Sequence, residues 1–128
     1  MEMILETVDK ALEMHTLWYE NLVRTLLCNL PLPGSVLAKD AHHKCDFGCW
    51  FYSNKNFHFH ELPSFTQIGE LHKTMHDSAR TLCLKKEATG MAPEVDYDAF
   101  VTNLVRFRSE LNTFRQRVFD TLSNLKQA

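Results

Sequence analysis

The stretch Leu71-His72-Lys73-Thr74-Met75-His76 places two histidines four residues apart on what reads as a long helix. Four residues advance a helix by just over one turn, so both imidazoles project from one face. A pair set like this can hold two corners of a metal tetrahedron. The rest of the chain then reads as scaffold together with the two missing corners.

The helix carrying this pair opens at Pro63-Ser64, where Ser64 and Gln67 form a capping-box pattern. Phe65, Ile68, Leu71, Met75, Ala79 and Leu82 follow at helical spacing, and Gly90 and Pro93 stop the helix after about residue 88. Upstream, residues 3–29 contain neither glycine nor proline. Ile4, Val8, Leu12, Tyr19, Leu22 and Leu26 mark an apolar stripe there, and His15 lies on it. Pro31, Pro33 and Gly34 break that helix. Asp40 is placed to cap a short helix over residues 41–52, which runs into the polar loop Ser53-Asn54-Lys55-Asn56. The last helix begins near Glu94. Tyr97, Phe100, Leu104, Phe107, Leu111, Phe114, Val118 and Leu125 form a heptad seam, interrupted only by Thr121. A bundle interface and a dimer interface both need such a seam, and the pattern does not separate them. With no strand-like alternation and no repeat, residues 1–128 are expected to form one all-α domain, an antiparallel four-helix bundle.

Composition narrows the function. The chain has 128 residues, is 45% hydrophobic and 23% charged, and carries a net charge of −2. That is an ordinary globular composition, with no basic face for nucleic acid and no apolar run long enough to span a membrane. Glu2 and Glu6 stand where an export signal would carry basic residues. The four cysteines are therefore expected to be reduced thiols of a cytoplasmic protein, available to metal.

Seven histidines are present. His72 and His76 supply two nitrogens, His15 a third from the first helix, and Cys45 a thiolate from the short helix. Three imidazoles and one thiolate make a four-coordinate shell that suits zinc. Gly48, three residues after Cys45, lets the short helix approach its neighbours closely enough to deliver the sulfur. Other sets compete. His42, Cys45 and Cys49 could share a face, and His58 and His60 flank Phe59 in a loop. Cys28 and Cys83 sit among apolar residues and read as packing. Glu13 and Asp77 neighbour the ligands in sequence but point away from them.

The order His15…Trp18, Cys45-x-Phe47-Gly48-x-Trp50 and His72-x-x-x-His76 resembles the chemoreceptor zinc-binding (CZB) domain. It is similar above all to the N-terminal domains of zinc-regulated diguanylate cyclases. The resemblance implies a four-helix bundle that forms a symmetric homodimer. It also implies zinc ligation by His15, Cys45, His72 and His76, with control of an output domain in cis or on a partner chain. In the similar cyclases bound zinc inhibits synthesis of cyclic di-GMP. Related domains of chemotaxis receptors imply an alternative, an oxidant sensor in which hypochlorous acid attacks the zinc-bound cysteine. Cys49, one turn beyond Cys45, is placed to act there as a resolving thiol. A metalloenzyme is disfavoured. Four protein ligands leave no open position for water, and Lys73 stands where a zinc protease carries its glutamate. No cyclase signature occurs in the chain, so no catalytic residue is expected.

Overall fold

A computed structural model describes residues 2–53 and 63–127. Every regular element among them is a helix: α1 (Glu2–Leu27), α2 (Gly34–Leu37), α3 (Ala41–Lys44), α4 (Asp46–Phe51), α5 (Pro63–Thr89) and α6 (Glu94–Gln127). None of these helices is long and apolar enough to cross a membrane.

The direction of each long helix follows from its cross-links. Lys85 pairs with Asp96 and Ser78 with Asn103, so positions rise along α5 as they fall along α6. These two helices form an antiparallel hairpin closed by Gly90, whose φ of +79° suits a residue without Cβ. Tyr19 bonds Tyr97, and Asp9 bonds Arg115, so α1 is also antiparallel to α6. It therefore runs parallel to α5. Lys86 ties the ends of those two together through Asn29 at 2.6 Å. Asn29 itself adopts φ 52°, and the Leu30 amide reaches the Thr25 carbonyl. That is a Schellman-type end to α1 with asparagine in the glycine position.

Each long helix turns one heptad stripe inward. On α1 the buried line passes through Val8, Ala11, His15 and Leu22. Leu12 and Tyr19, expected on the stripe, pack only at its margin. On α5 the line is Phe65, Ile68, His72, Met75, Ala79 and Leu82, all at most 1% exposed. The α6 seam serves this same core. Phe100, Leu104, Phe107, Leu111, Phe114 and Val118 are buried within the chain. Beyond Val118 the seam leaves the core, and Leu125 is 63% exposed.

The expected helix over 41–52 is broken in two. Cys45 interrupts it with an extended backbone, φ −71° and ψ 156°, and thereby becomes the N-cap of α4. Its sulfur accepts the Gly48 amide at 3.3 Å, which uses a thiol where a cap normally has a hydroxyl or carboxylate. Asp40 precedes α3 without making a side-chain cap bond. Further on, α5 starts at Pro63, so Ser64 lies inside its first turn and does not cap it.

Two glycines seat this segment. A Cβ on Gly48 would lie 1.8 Å from the His42 carbonyl oxygen, so the close neighbour is the end of α3. A Cβ on Gly69 would lie 2.8 Å from the Phe51 ring, which also stacks on Phe65 at 4.3 Å. Arg80 adds a bond from α5 to the Leu37 carbonyl at 2.8 Å, holding the end of α2.

An ordered set of costs is expected. Gly48→Ala meets backbone and should destabilise the chain by about 2 kcal/mol or more. Gly69→Ala meets a ring that can give, and should cost about 1 kcal/mol. Nothing lies within 4 Å of a Cβ at Gly34, so Gly34→Ala should be neutral or stabilising by about 0.5 kcal/mol. Urea midpoints of the three variants check this; Gly48→Ala with the parent midpoint would contradict the close packing of α3 against α4.

Candidate metal centre

The helix ends and stripes converge on one point. His15 arrives from the middle of α1, Cys45 from the break between α3 and α4, and His72 and His76 from one face of α5. One ligand atom from each lies within 4.8 Å of the other three. Among the described residues no other group of three or more histidines, cysteines or carboxylates comes together this way. His42, Cys45 and Cys49 do not converge. Cys49 is exposed and its sulfur turns to the carbonyls of His43 and Lys44, while the His42 and His43 rings meet tilted at 4.3 Å beside Tyr52. His58 and His60 lie outside the described residues. Cys83 is fully buried, as its apolar neighbours implied, whereas Cys28 is exposed. Glu13 and Asp77 are absent from the cluster, and Asp77 instead pairs with Lys73.

The donor atoms suit a cation. Zn–N bonds of about 2.0–2.1 Å and Zn–S bonds of about 2.3 Å imply tetrahedral edges of roughly 3.3–3.6 Å. The Cys45 sulfur already stands 3.2 Å from His72 Nε2. Two nitrogens of the cluster, His15 Nε2 and His76 Nε2, are buried with no hydrogen-bond partner. A buried polar atom left this way costs about 1–3 kcal/mol, which a metal ion would offset. His15 is also oriented for ligation. Its Nδ1 lies 2.7 Å from the Ala11 carbonyl; only an N–H can donate there, so Nε2 keeps its lone pair for the centre. The preceding turn of α1 thus does the work that a neighbouring carboxylate does in many zinc sites.

An aromatic shell encloses the group. Phe107 of α6 meets His15 and His72 edge-on or tilted at 5.0 and 5.1 Å. Phe47 closes on His72 at 4.9 Å, and Trp18 lies tilted over His76 at 4.8 Å. Trp18 and Phe47 are both part of the motif read from the sequence. Phe107 was legible only as one more position of the α6 seam, and the Ala11 carbonyl carried no signal at all.

Burial sets the protonation states. Desolvation holds His72 far below the usual histidine range, and the nearby His76 and His15 add to the effect. His76 is held down at about 3 by desolvation and by His15 and His42. His15 is lowered by desolvation, partly opposed by its bond to Ala11. The Cys45 thiol is raised by desolvation, against the opposing pull of the Gly48 amide. At neutral pH the centre is thus three neutral imidazoles and one thiol, with a single proton to displace.

Acid should therefore undo the metal-free fold. The unfolded histidines titrate near 6.5, the folded His72 and His76 well below it, and His15 is lowered too. Their contribution is complete above pH 6.5 and is lost as pH falls toward the folded values. Between pH 7.5 and 5.5 each ring that stays neutral removes about 1.4 kcal/mol, so about 3 kcal/mol for His72 and His76, with His15 acting in the same direction. Urea titrations of the metal-free chain at the two pH values measure this, and equal stabilities would mean that the folded rings accept protons.

A family model described as the chemoreceptor zinc-binding domain matches residues 15–83. The match begins at His15, contains all four clustered residues and spans more than half of the chain. Comparison with curated proteins and with solved structures yields no match. The family binds zinc, and the cluster of three histidines and one cysteine has the donor set for it. The chain belongs to the chemoreceptor zinc-binding domain family.

Proposed function

We propose that this chain is a cytoplasmic zinc-sensing regulatory domain in which His15, Cys45, His72 and His76 hold one zinc ion. The observation that carries the reading is the convergence of four donor atoms within 4.8 Å, two buried nitrogens among them, His15 Nε2 and His76 Nε2, lacking partners. Bound zinc supplies one positive centre that draws α1, the α3–α4 break and α5 together. The protein's own part is to orient the donors. Ala11 fixes the tautomer of His15, the Gly48 amide steadies the Cys45 sulfur, and the aromatic shell packs against the rings.

Regulation requires a path to an output. α6 contributes no donor atom, yet its Phe107 touches two of the histidine rings. Contraction of the cluster onto an ion would press on Phe107 and bias the packing of α6. A tenfold population change needs only about 1.4 kcal/mol, against roughly 10 kcal/mol available from a structural zinc site. We place the output, a diguanylate cyclase or a chemoreceptor signalling domain, in cis or on a partner chain. The fold completes a four-helix bundle in this reading, with α2–α4 standing in for the fourth member. A symmetric homodimer draws support from Val105 and Phe119, two heptads apart on α6 and 59% and 47% exposed. The chain itself carries no catalytic role in this proposal.

The oxidant-sensing alternative draws support from the partial exposure of Cys45 and the exposure of Cys49 one turn away. Cys49 would have to leave the His43 and Lys44 carbonyls to resolve an oxidised Cys45.

Zinc content decides between the site and its absence. The parent chain should bind about one zinc, and Cys45→Ala and His72→Ala should lose it or hold it far more weakly. Calorimetry in buffers of different ionisation enthalpy should find about one proton released per zinc at neutral pH, from Cys45 alone. Full retention of zinc in both variants would overturn the ligand assignment. In a protein with its output domain, Cys45→Ala should abolish the response to zinc.

A further inference from the structure

A cleft of about 540 Å³ opens between α1 and the α2–α4 segment. Three of the four clustered residues, His15, Cys45 and His76, form part of its wall. His72, at 0% exposure, does not. The centre is thus closed on the α5–α6 side and approachable from the other. Met14 and Trp18 make the cleft apolar along α1, and Lys10 and Lys44 also line it. Asp46 is the one acidic residue in the lining. Lys44 is 60% exposed and bridges Asp40 at 3.3 Å, a solvated pair of little strength. A volume of this size admits a small organic molecule. The charge favours an anion, since zinc with one thiolate and three neutral imidazoles itself carries a net positive charge.

We propose that this cleft is a docking pocket for a small anionic chelator that delivers zinc to the centre and removes it by direct ligand exchange. The inference rests on the zinc reading above. A carboxylate of the chelator sits near Lys10 and Lys44 while its donor atoms reach the ion past His15 and Cys45. A donor of the chelator would replace the Cys45 sulfur as ligand, and the released thiolate would take a proton from water. The protein need not unfold for the metal to exchange.

The test uses the zinc-loaded chain with nitrilotriacetate as the anionic probe and 1,10-phenanthroline as a neutral one. Zinc remaining on the chain is measured after rapid desalting. Direct exchange predicts that the release rate rises with nitrilotriacetate concentration and then saturates. Lys10→Glu and Lys44→Glu should each slow release to nitrilotriacetate by roughly two- to fivefold. Both should leave phenanthroline-driven release and the zinc content unchanged. A rate independent of nitrilotriacetate concentration, or equal slowing with both probes, would overturn the pocket while leaving zinc binding in place. A parent chain that takes up no zinc would overturn the zinc reading and the pocket with it.

Discussion

Three imidazoles and a thiol share the dry centre of this chain, and the rest of the structure accommodates that fact. Polar nitrogens in an apolar interior are tolerated when they are paired. Here only His72 Nε2 meets the Cys45 sulfur, while His15 Nε2 and His76 Nε2 have no partner. His72 occupies the same α5 stripe as Phe65, Ile68 and Met75, at a position where any helical core would place an aliphatic residue. Desolvation keeps the rings neutral, and a neutral ring is the form a metal can use.

The least regular part of the fold delivers the sulfur. Long helices can present histidines from their faces, because i and i+4 positions align without further help. The thiol instead stands at a backbone break whose geometry is set by neighbours: His42 under Gly48, Phe51 against Gly69, Arg80 on the Leu37 carbonyl. α6 has the complementary role. It offers no ligand and simply supplies the wall, with Phe107 against two rings. The cluster thus draws its donor atoms from three segments and part of its wall from a fourth.

How much of this was legible in the sequence depends on range. The His72–His76 pair is a local feature, and its meaning follows from helix geometry alone. His15 was legible because a histidine on an apolar stripe must face the core. Cys45 was legible as a donor but not as a helix break, since cap patterns involve serine, threonine, aspartate and asparagine, and a sulfur accepting an amide escapes them. Asp40 has the side chain of a cap but makes no cap bond, and Ser64 falls inside α5, which already begins at Pro63. The reason for Gly48 was read as approach to other helices, whereas the tight contact is with the carbonyl just before it. Long-range choices were invisible. Periodicity showed that α6 has a seam, but only the folded chain shows that most of it faces inward. Only the folded chain shows, too, that the Ala11 carbonyl fixes the tautomer of His15.

The spacing of the donors along the chain has a further meaning in polymer terms. His15, Cys45 and His72 divide the chain into two intervals of similar length, and both contain the short helices. An ion bound to all of them is a removable cross-link that closes two loops at once, and loop closure restrains the unfolded chain much as a disulfide does. Unlike a disulfide, it opens without reduction. The α2–α4 segment would then be held more or less tightly according to the supply of a single ion. The hairpin of α5 and α6, joined by its own short turn, needs no such clamp to hold its register.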